Sequence, residues 1–220
     1  DDAYELLVVY DQQDVETNAT VDEYAPDLPN LRRLNDDGQG LSYARNIGYR
    51  AADGEYVAFL DDDASAHPGW LAAYLETFNR VTPTPDCIGG AVRPDFEKPV
   101  PWWVPPSLPG IPVKDLSGEP RWIDFPDETV IGANMAFPRS FLVETGGFPT
   151  NLGRKDGTLL SNEETVVQAA AAAGNGIYYH PDAWVDHLIE GFRLTPTYLV
   201  RRHYWQGISD CRMDPKRVAD

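Results

Sequence analysis

Gly54-Glu55-Tyr56-Val57-Ala58-Phe59-Leu60-Asp61-Asp62-Asp63 joins an apolar run to three consecutive acids. Tyr56 to Leu60 is an apolar run rich in β-formers, long enough for a buried strand and too short for a helix. It ends abruptly in three carboxylates, and Pro68-Gly69 then opens a helical pattern. In an open α/β sheet, ligands bind at the carboxyl ends of the strands. Three acids in a row repel one another, and a hard cation that takes oxygen ligands relieves that repulsion. A solvated acidic turn is the plainer reading. The strand in front and the helix behind favour the metal.

Outward from this stretch the same alternation repeats. Tyr4 to Tyr10 reads as a strand buried on both faces, ending at the polar turn Asp11-Gln12-Gln13-Asp14. Asp11 can accept a hydrogen bond from a base or ribose, or cap its own turn. Val21 to Tyr24 fits a short helix and Leu31 to Leu34 a second strand, followed by the turn cluster Asn35 to Gly40. Leu41, Ala44, Ile47 or Gly48, and Ala51 recur at helical spacing and define an amphipathic helix that carries Arg45 and Asn46. Strand, helix, strand with short links is the pattern of a parallel sheet.

Size and charge bound the function. A chain of 220 residues fits one α/β domain with an ample core. The formal net charge is −17, with four lysines against fourteen arginines, so nucleic acid is not an expected partner. A uniformly acidic, lysine-poor surface suits high salt, where counterions screen self-repulsion. Cys87 and Cys211 are isolated thiols without framework spacing, which points to a reducing, cytoplasmic compartment. No apolar run approaches the roughly 20 residues of a membrane span, and no signal peptide is visible.

The ordered set Gly40-Leu41-Ser42-Tyr43-Ala44-Arg45-Asn46 and Gly54 to Asp63 resembles the core of family 2 glycosyltransferases. That resemblance implies a GT-A fold, a Rossmann-like mixed, mostly parallel sheet with helices on both faces. It also implies a nucleotide-sugar donor carrying UDP or GDP, and Mn²⁺ or Mg²⁺ held through the strand-end acids. Asp63 and Asp61 would ligate the metal, with Asp61 also beside the ribose. Asp11 would contact the base, Arg45 would lie near the nucleotide, and Asp62 and Asn134 complete the candidate donor contacts. Family domains normally begin with an apolar strand ending in a Thr-Tyr-Asn-like turn, and by this resemblance the chain starts at the second strand.

The second half fits the same plan. Pro68, Trp70, Leu71, Tyr74, Leu75 and Phe78 make an amphipathic helix with proline in its first turn, and Cys87 to Val92 reads as a strand. Lys98 to Pro126 resists periodic assignment, and a long irregular segment in a compact domain is usually a functional loop. Its Trp102, Trp103 and Trp122 suit an acceptor-binding wall or pin the loop to the core. Val130 to Phe137 reads as a strand with small residues where a ligand can approach. Pro138 to Thr145 reads as a helix closed by Gly146-Gly147.

Leu152-Gly153-Arg154-Lys155 followed by Leu160-Ser161-Asn162-Glu163-Glu164 also resembles the acceptor half of family 2 enzymes. The family consensus there is commonly Glu-Asp, the second acid serving as catalytic base. Glu164 holds that position, with Glu163 beside it. The same residues also read as a capping box, Ser161 as N-cap and Glu164 at the third helical position. A helix from Glu163 to Ala173, a strand from Ile177 to Tyr179 and a run from Ala183 to Val185 lead to Asp186-His187. By the resemblance, His187 would be the third metal ligand.

Thr195 as N-cap and Pro196 open a last helix carrying Arg201, Arg202, Arg212, Lys216 and Arg217. Those cations can neutralise a diphosphate, make peripheral contact with an anionic membrane face, or be a solvated face paired with acids.

The combined reading is one GT-A domain, with residues 1–95 binding the nucleotide-sugar, 96–194 on the acceptor side and 195–220 the closing helix. It would be an inverting, metal-dependent glycosyltransferase acting on a glycan or on a lipid- or protein-linked acceptor. The alternatives are a nucleotidyltransferase on a sugar phosphate and a non-catalytic nucleotide- or sugar-binding relative.

Overall fold

Strand-length apolar runs and helical stripes fold here as their periods direct. The computed structural model describes residues 4–105, 107, 110–155 and 157–213. In chain order the elements are β1 (Leu6–Tyr10), α1 (Val15–Tyr24), β2 (Leu31–Asn35), α2 (Leu41–Ala51), β3 (Tyr56–Leu60), β4 (Ala64–Ala66) and α3 (Trp70–Arg80). Then come β5 (Cys87–Gly89), β6 (Val92–Phe96), β7 (Arg121–Trp122), β8 (Asn134–Pro138) and α4 (Arg139–Thr145). The chain closes with α5 (Glu163–Ala173), β9 (Ile177–Tyr179), β10 (Val185–Ile189) and α6 (Pro196–Met213).

The central sheet has the order β3-β8-β5-β9-β7, a second sheet runs β4-β10-β6, and β1 pairs with β2. The α/β class is as expected, but the mixture is more even than the expected parallel majority. β1–β2, β5–β9 and β6–β10 are parallel, while β8 is antiparallel to both neighbours and β4–β10 and β7–β9 are antiparallel. Along β8 the side chains alternate between faces. Met135 and Phe137 join Tyr49, Phe141, Leu142, Phe148, Val167 and Ala171, the side covered by α2, α4 and α5. Ala136 faces the other way, with Ile88 and with Ala73, Tyr74 and Phe78 of α3. Each such large apolar side chain contributes about 1.5–3 kcal/mol on burial, so these two layers fix where the strand ends lie.

Several boundaries differ from expectation for local reasons. Asp14 caps α1, its Oδ1 accepting from the Glu16 and Thr17 amides at 3.0 and 3.2 Å, and so extends a helix expected only from Val21. The strand expected over Cys87 to Val92 breaks at Gly90, where a Cβ would sit 1.5 Å from the Ala183 carbonyl oxygen. The chain changes sheets at that close approach. The strand expected over Val130 to Phe137 begins only at Asn134. Gly146 at φ 84 closes α4, and the Thr195 hydroxyl accepts from the Tyr198 amide at 3.3 Å, both as expected.

The α2 helix falls where its period put it, yet its buried stripe is Ser42, Arg45, Asn46, Gly48 and Tyr49, of which only Gly48 is among the expected positions. Buried polar groups need partners, and these find them in a distant segment. Ser42 Oγ donates to the Leu152 carbonyl at 2.9 Å, and the Asn46 amide exchanges two hydrogen bonds with the Phe148 backbone at 2.7 and 2.9 Å. The polar stripe therefore moors residues 148–152 beside the ends of the central strands. No helix among the described residues is long and apolar enough to cross a membrane. Cys87 is buried, Cys211 is exposed, and both are free thiols.

Candidate active site

At the end of β3 the chain turns through Asp61, Asp62 and Asp63 into β4. The antiparallel pairing of β4 with β10 sets His187 opposite Ala64, and the Leu188 amide donates to the Asp63 carbonyl at 2.8 Å. His187, 2% exposed, thereby holds its Nε2 3.2 Å from Asp63 Oδ1. Asp61, Asp63 and His187 each offer one ligand atom, all within 4.8 Å of one another. Two carboxylates and an imidazole suit a divalent cation such as Mn²⁺ or Mg²⁺, so the residues fit the metal that the sequence implied. Asp62 is exposed and outside that cluster. Arg193 joins it from the short helical turn 191–194, its Nη2 donating to Asp63 Oδ2 at 2.7 Å. Arg193 Nη1 is buried without a partner among the described residues.

The other side of Asp61 is governed by Arg45, which is 6% exposed. Its Nη2 donates to Asp61 Oδ1 at 3.2 Å and to the Gly132 carbonyl at 3.1 Å, and its Nη1 donates to Glu163 Oε1 at 2.8 Å. The guanidinium also lies 5.5 Å from the Phe148 ring centroid. A Cβ at Gly132 would come 3.0 Å from Arg45 Nη2, so the small residue expected to admit a ligand admits this side chain. Burial works against the charge of Arg45, but Asp61, Glu163 and Glu164 outweigh it and raise its pKa.

Glu163 is 3% exposed, and its Oε2 has no partner among the described residues. Glu164, half-buried beside it, is pushed up to about 7 by burial first and then by the charge of Glu163, against the opposing pull of Arg45. A carboxylate poised near neutrality, next to one locked in an ion pair, can take a proton from an alcohol. The capping box is not formed. Asn162 is the N-cap, at φ 72 and without a side-chain cap bond, and Ser161 Oγ donates instead to Gln206 Oε1 at 3.0 Å. The first acids of α5 are thus left to Arg45 and to the space in front of the helix.

A strand-end acid pair with a histidine is thus tied through the buried Arg45 to Glu163 at the start of α5. A family model described as glycosyl transferase family 2 matches residues 1–146, the greater part of the chain.

The chain belongs to glycosyl transferase family 2.

A glucosyl-dolichyl phosphate glucuronosyltransferase of Haloferax volcanii is 31% identical over 98% of this chain and 67% of its own length. The succinoglycan biosynthesis protein ExoM of Rhizobium meliloti is 25% identical over 94% of this chain and 65% of its own. This family 2 chain thus spans about two thirds of the relatives it matches. Among solved structures, S. aureus TarS in complex with UDP superposes with a TM-score of 0.59 at 16% identity, covering 95% of this chain and 56% of that one. A Pyrobaculum calidifontis mannosyltransferase in complex with GDP-Man and Mn²⁺ gives 0.58 at 18% identity, covering 93% and 55%. The fold is GT-A, and the chain is a glycosyltransferase domain.

Not every residue expected to contact a ligand in this family 2 domain is free to do so. Asn134 is fully buried: its Oδ1 accepts from Trp70 Nε1 at 2.7 Å and the Tyr74 hydroxyl at 2.6 Å, and its Nδ2 donates to the Ala91 and Ala183 carbonyls. With its amide saturated it ties both sheets together and offers nothing to a donor. Asp11 Oδ1 accepts from the Gln13 amide at 2.9 Å, the turn-capping alternative, while Oδ2 faces Gly38. The three tryptophans differ in exposure, with Trp103 at 37%. Trp102 stands 96% exposed, whereas Trp122 packs edge-on against Tyr178 on the edge strand β7 and touches Gly176.

Arg193 was missed by the sequence reading. Its signal was a lone arginine between Phe192 and Leu194, six residues past His187. The α6 arginines face the protein: Arg201 donates to the Gly157 carbonyl, Arg202 to Ser161 Oγ and Arg212 to the Asn151 carbonyl. Lys216 and Arg217 lie outside the described residues.

Proposed function

We propose that this domain transfers a sugar from a nucleoside diphosphate sugar to an acceptor hydroxyl with inversion at the anomeric carbon, assisted by a divalent cation. The observation that carries the reading is the meeting of Asp61, Asp63 and His187 within 4.8 Å at the strand end. These three residues would hold Mn²⁺ or Mg²⁺, which when bound neutralises diphosphate charge and favours its departure. The relatives support the donor class, since TarS was solved with UDP and the Pyrobaculum mannosyltransferase with GDP-Man and Mn²⁺. The name of the Haloferax relative supports a lipid-linked phosphoglycoside acceptor.

In this reading Glu164 is the base. Its carboxylate takes the proton of the acceptor hydroxyl as that oxygen bonds to the anomeric carbon. The bond from that carbon to the diphosphate oxygen breaks on the opposite face, and the electron pair leaves with the diphosphate. Arg45 holds Asp61 and Glu163 in register, so the donor side and the base side keep a fixed separation. Burial first, and the like charge of the paired Glu163 after it, keep Glu164 basic near neutrality. Calorimetric titration of UDP and GDP, with Mn²⁺ and with chelator, tests the reading.

A further inference from the structure

In a chain of net charge −17, cations gather along residues 151–161 and α6. Arg154 and Lys155 belong to that segment, and Arg201, Arg202 and Arg212 reach it from the helix. Two of these lie next to the paired acids. Arg154 is fixed by its backbone, whose carbonyl accepts from the Leu41 amide at 2.9 Å. Its neighbour Gly153 lies against the carboxylate of Glu163, where a Cβ would be 3.3 Å from Glu163 Cδ. Arg202, half-buried, contacts Ser161 two residues before Glu163, its Nη1 3.4 Å from Ser161 Oγ.

Arg154 and Arg202 lie close enough for their like charges to act on each other. Burial first, and the Arg154 charge after it, lower the pKa of Arg202 against the opposing Tyr198, Glu164 and Glu163. Tyr198 sits one turn earlier on the same face of α6. Its hydroxyl is buried and has no partner among the described residues. The buried, unpartnered phenol beside the Arg202 guanidinium is costly until a hydrogen-bonding anion arrives. Guanidinium groups bind phosphate with paired, charge-assisted hydrogen bonds.

We propose that Arg154 and Arg202, with the Tyr198 hydroxyl, bind a phosphate group carried by the acceptor and hold it beside Glu163 and Glu164. The inference rests on the transferase reading above and specifies its acceptor as an anionic phosphoglycoside. This phosphate is distinct from the donor diphosphate, which that reading assigns to Asp61, Asp63 and His187: Gly153 and Ser161, which anchor Arg154 and Arg202, lie by Glu163, and Arg45 links Glu163 to Asp61. A chain this acidic repels phosphate at long range, so local cations are needed for any phosphate-bearing acceptor to approach the base.

The test is calorimetric, on protein saturated with UDP and Mg²⁺ so that the donor pocket is filled. Geranyl phosphate, geraniol and inorganic phosphate are titrated in turn. Geranyl phosphate should bind roughly 10–100-fold tighter than geraniol, the range expected of charge-assisted hydrogen bonds. Arg202→Gln and Arg154→Gln should each remove most of that gap, Arg202→Lys should keep part of it, and UDP affinity should hold in all three. Arg154 is exposed, so its variant reports even where Arg202→Gln perturbs folding. Displacement of geranyl phosphate by inorganic phosphate would show that the headgroup suffices, and failure to displace would show that the lipid-linked form is required. Equal binding of geranyl phosphate and geraniol, a gap unchanged in both glutamine variants, or competition between geranyl phosphate and UDP would overturn the proposal. Failure of UDP to bind removes the transferase reading instead, and the phosphate gap is then read without nucleotide.

Discussion

Replacing Arg45 with glutamine removes one buried guanidinium and leaves two carboxylates facing each other. Arg45 holds Glu163 at 2.8 Å and Asp61 at 3.2 Å, and Glu163 is 3% exposed, so water cannot take over its solvation. Breaking a buried pair by removing one partner costs about 3–5 kcal/mol, because a charge is left uncompensated. For a domain of this size each kcal/mol moves the melting temperature about 2–4 °C, so Arg45→Gln should melt roughly 6–20 °C below wild type. Adding Glu163→Gln to that variant removes the stranded charge and should return about 1–3 kcal/mol. Urea unfolding of wild type, both single variants and the double at pH 7 gives the cycle. A loss below about 1 kcal/mol for Arg45→Gln, or no recovery in the double variant, would refute the argument that this ion pair joins the two sides of the site.

The Glu164 carboxyl and the net charge carry three further outcomes. With Glu164 raised to about 7, kcat/KM should rise with pH through that value, and Glu164→Gln should lose the limb together with roughly 10²–10⁴ in rate. A raised folded-state pKa stabilises the fold below the ordinary value of 4.5 and loses that contribution as pH climbs through about 7, so Glu164→Gln should gain on wild type above neutrality. Unchanged turnover in the variant would return the role of base to Glu163. With net charge −17, the melting temperature should climb between about 0.1 and 2 M KCl as the screening length shrinks, and a flat or falling series would remove the high-salt reading.

Much of the layout was legible because periodicity is a local property. The α2 and α5 helices and the strand ending at Leu60 fall where their patterns placed them. The set Asp61, Asp63 and His187 was named from resemblance, and the pairing of β4 with β10 brings the three together. What sequence could not supply was which polar residue is saturated. Asn134 looked available because small residues surround it, yet four hydrogen bonds, two with side chains of α3 and two with the Ala91 and Ala183 carbonyls, consume its amide. Arg45 and Ser42 lie on the buried face of a helix whose apolar residues suggested a different stripe, and only the mooring of residues 148–154 explains the choice. Arg193 and Arg202 act across more than 40 residues of sequence, beyond any pattern in a short window.

In the proposed reaction the strand-end acids and His187 bind a divalent cation together with the donor nucleotide. Calorimetric titration of UDP into wild type and Asp63→Ala, each with Mn²⁺ and with chelator, tests it most directly. Mn²⁺ should tighten UDP binding to wild type at least roughly tenfold, and Asp63→Ala should show one weak affinity in both conditions. Equal UDP affinity of wild type with Mn²⁺ and with chelator would contradict it.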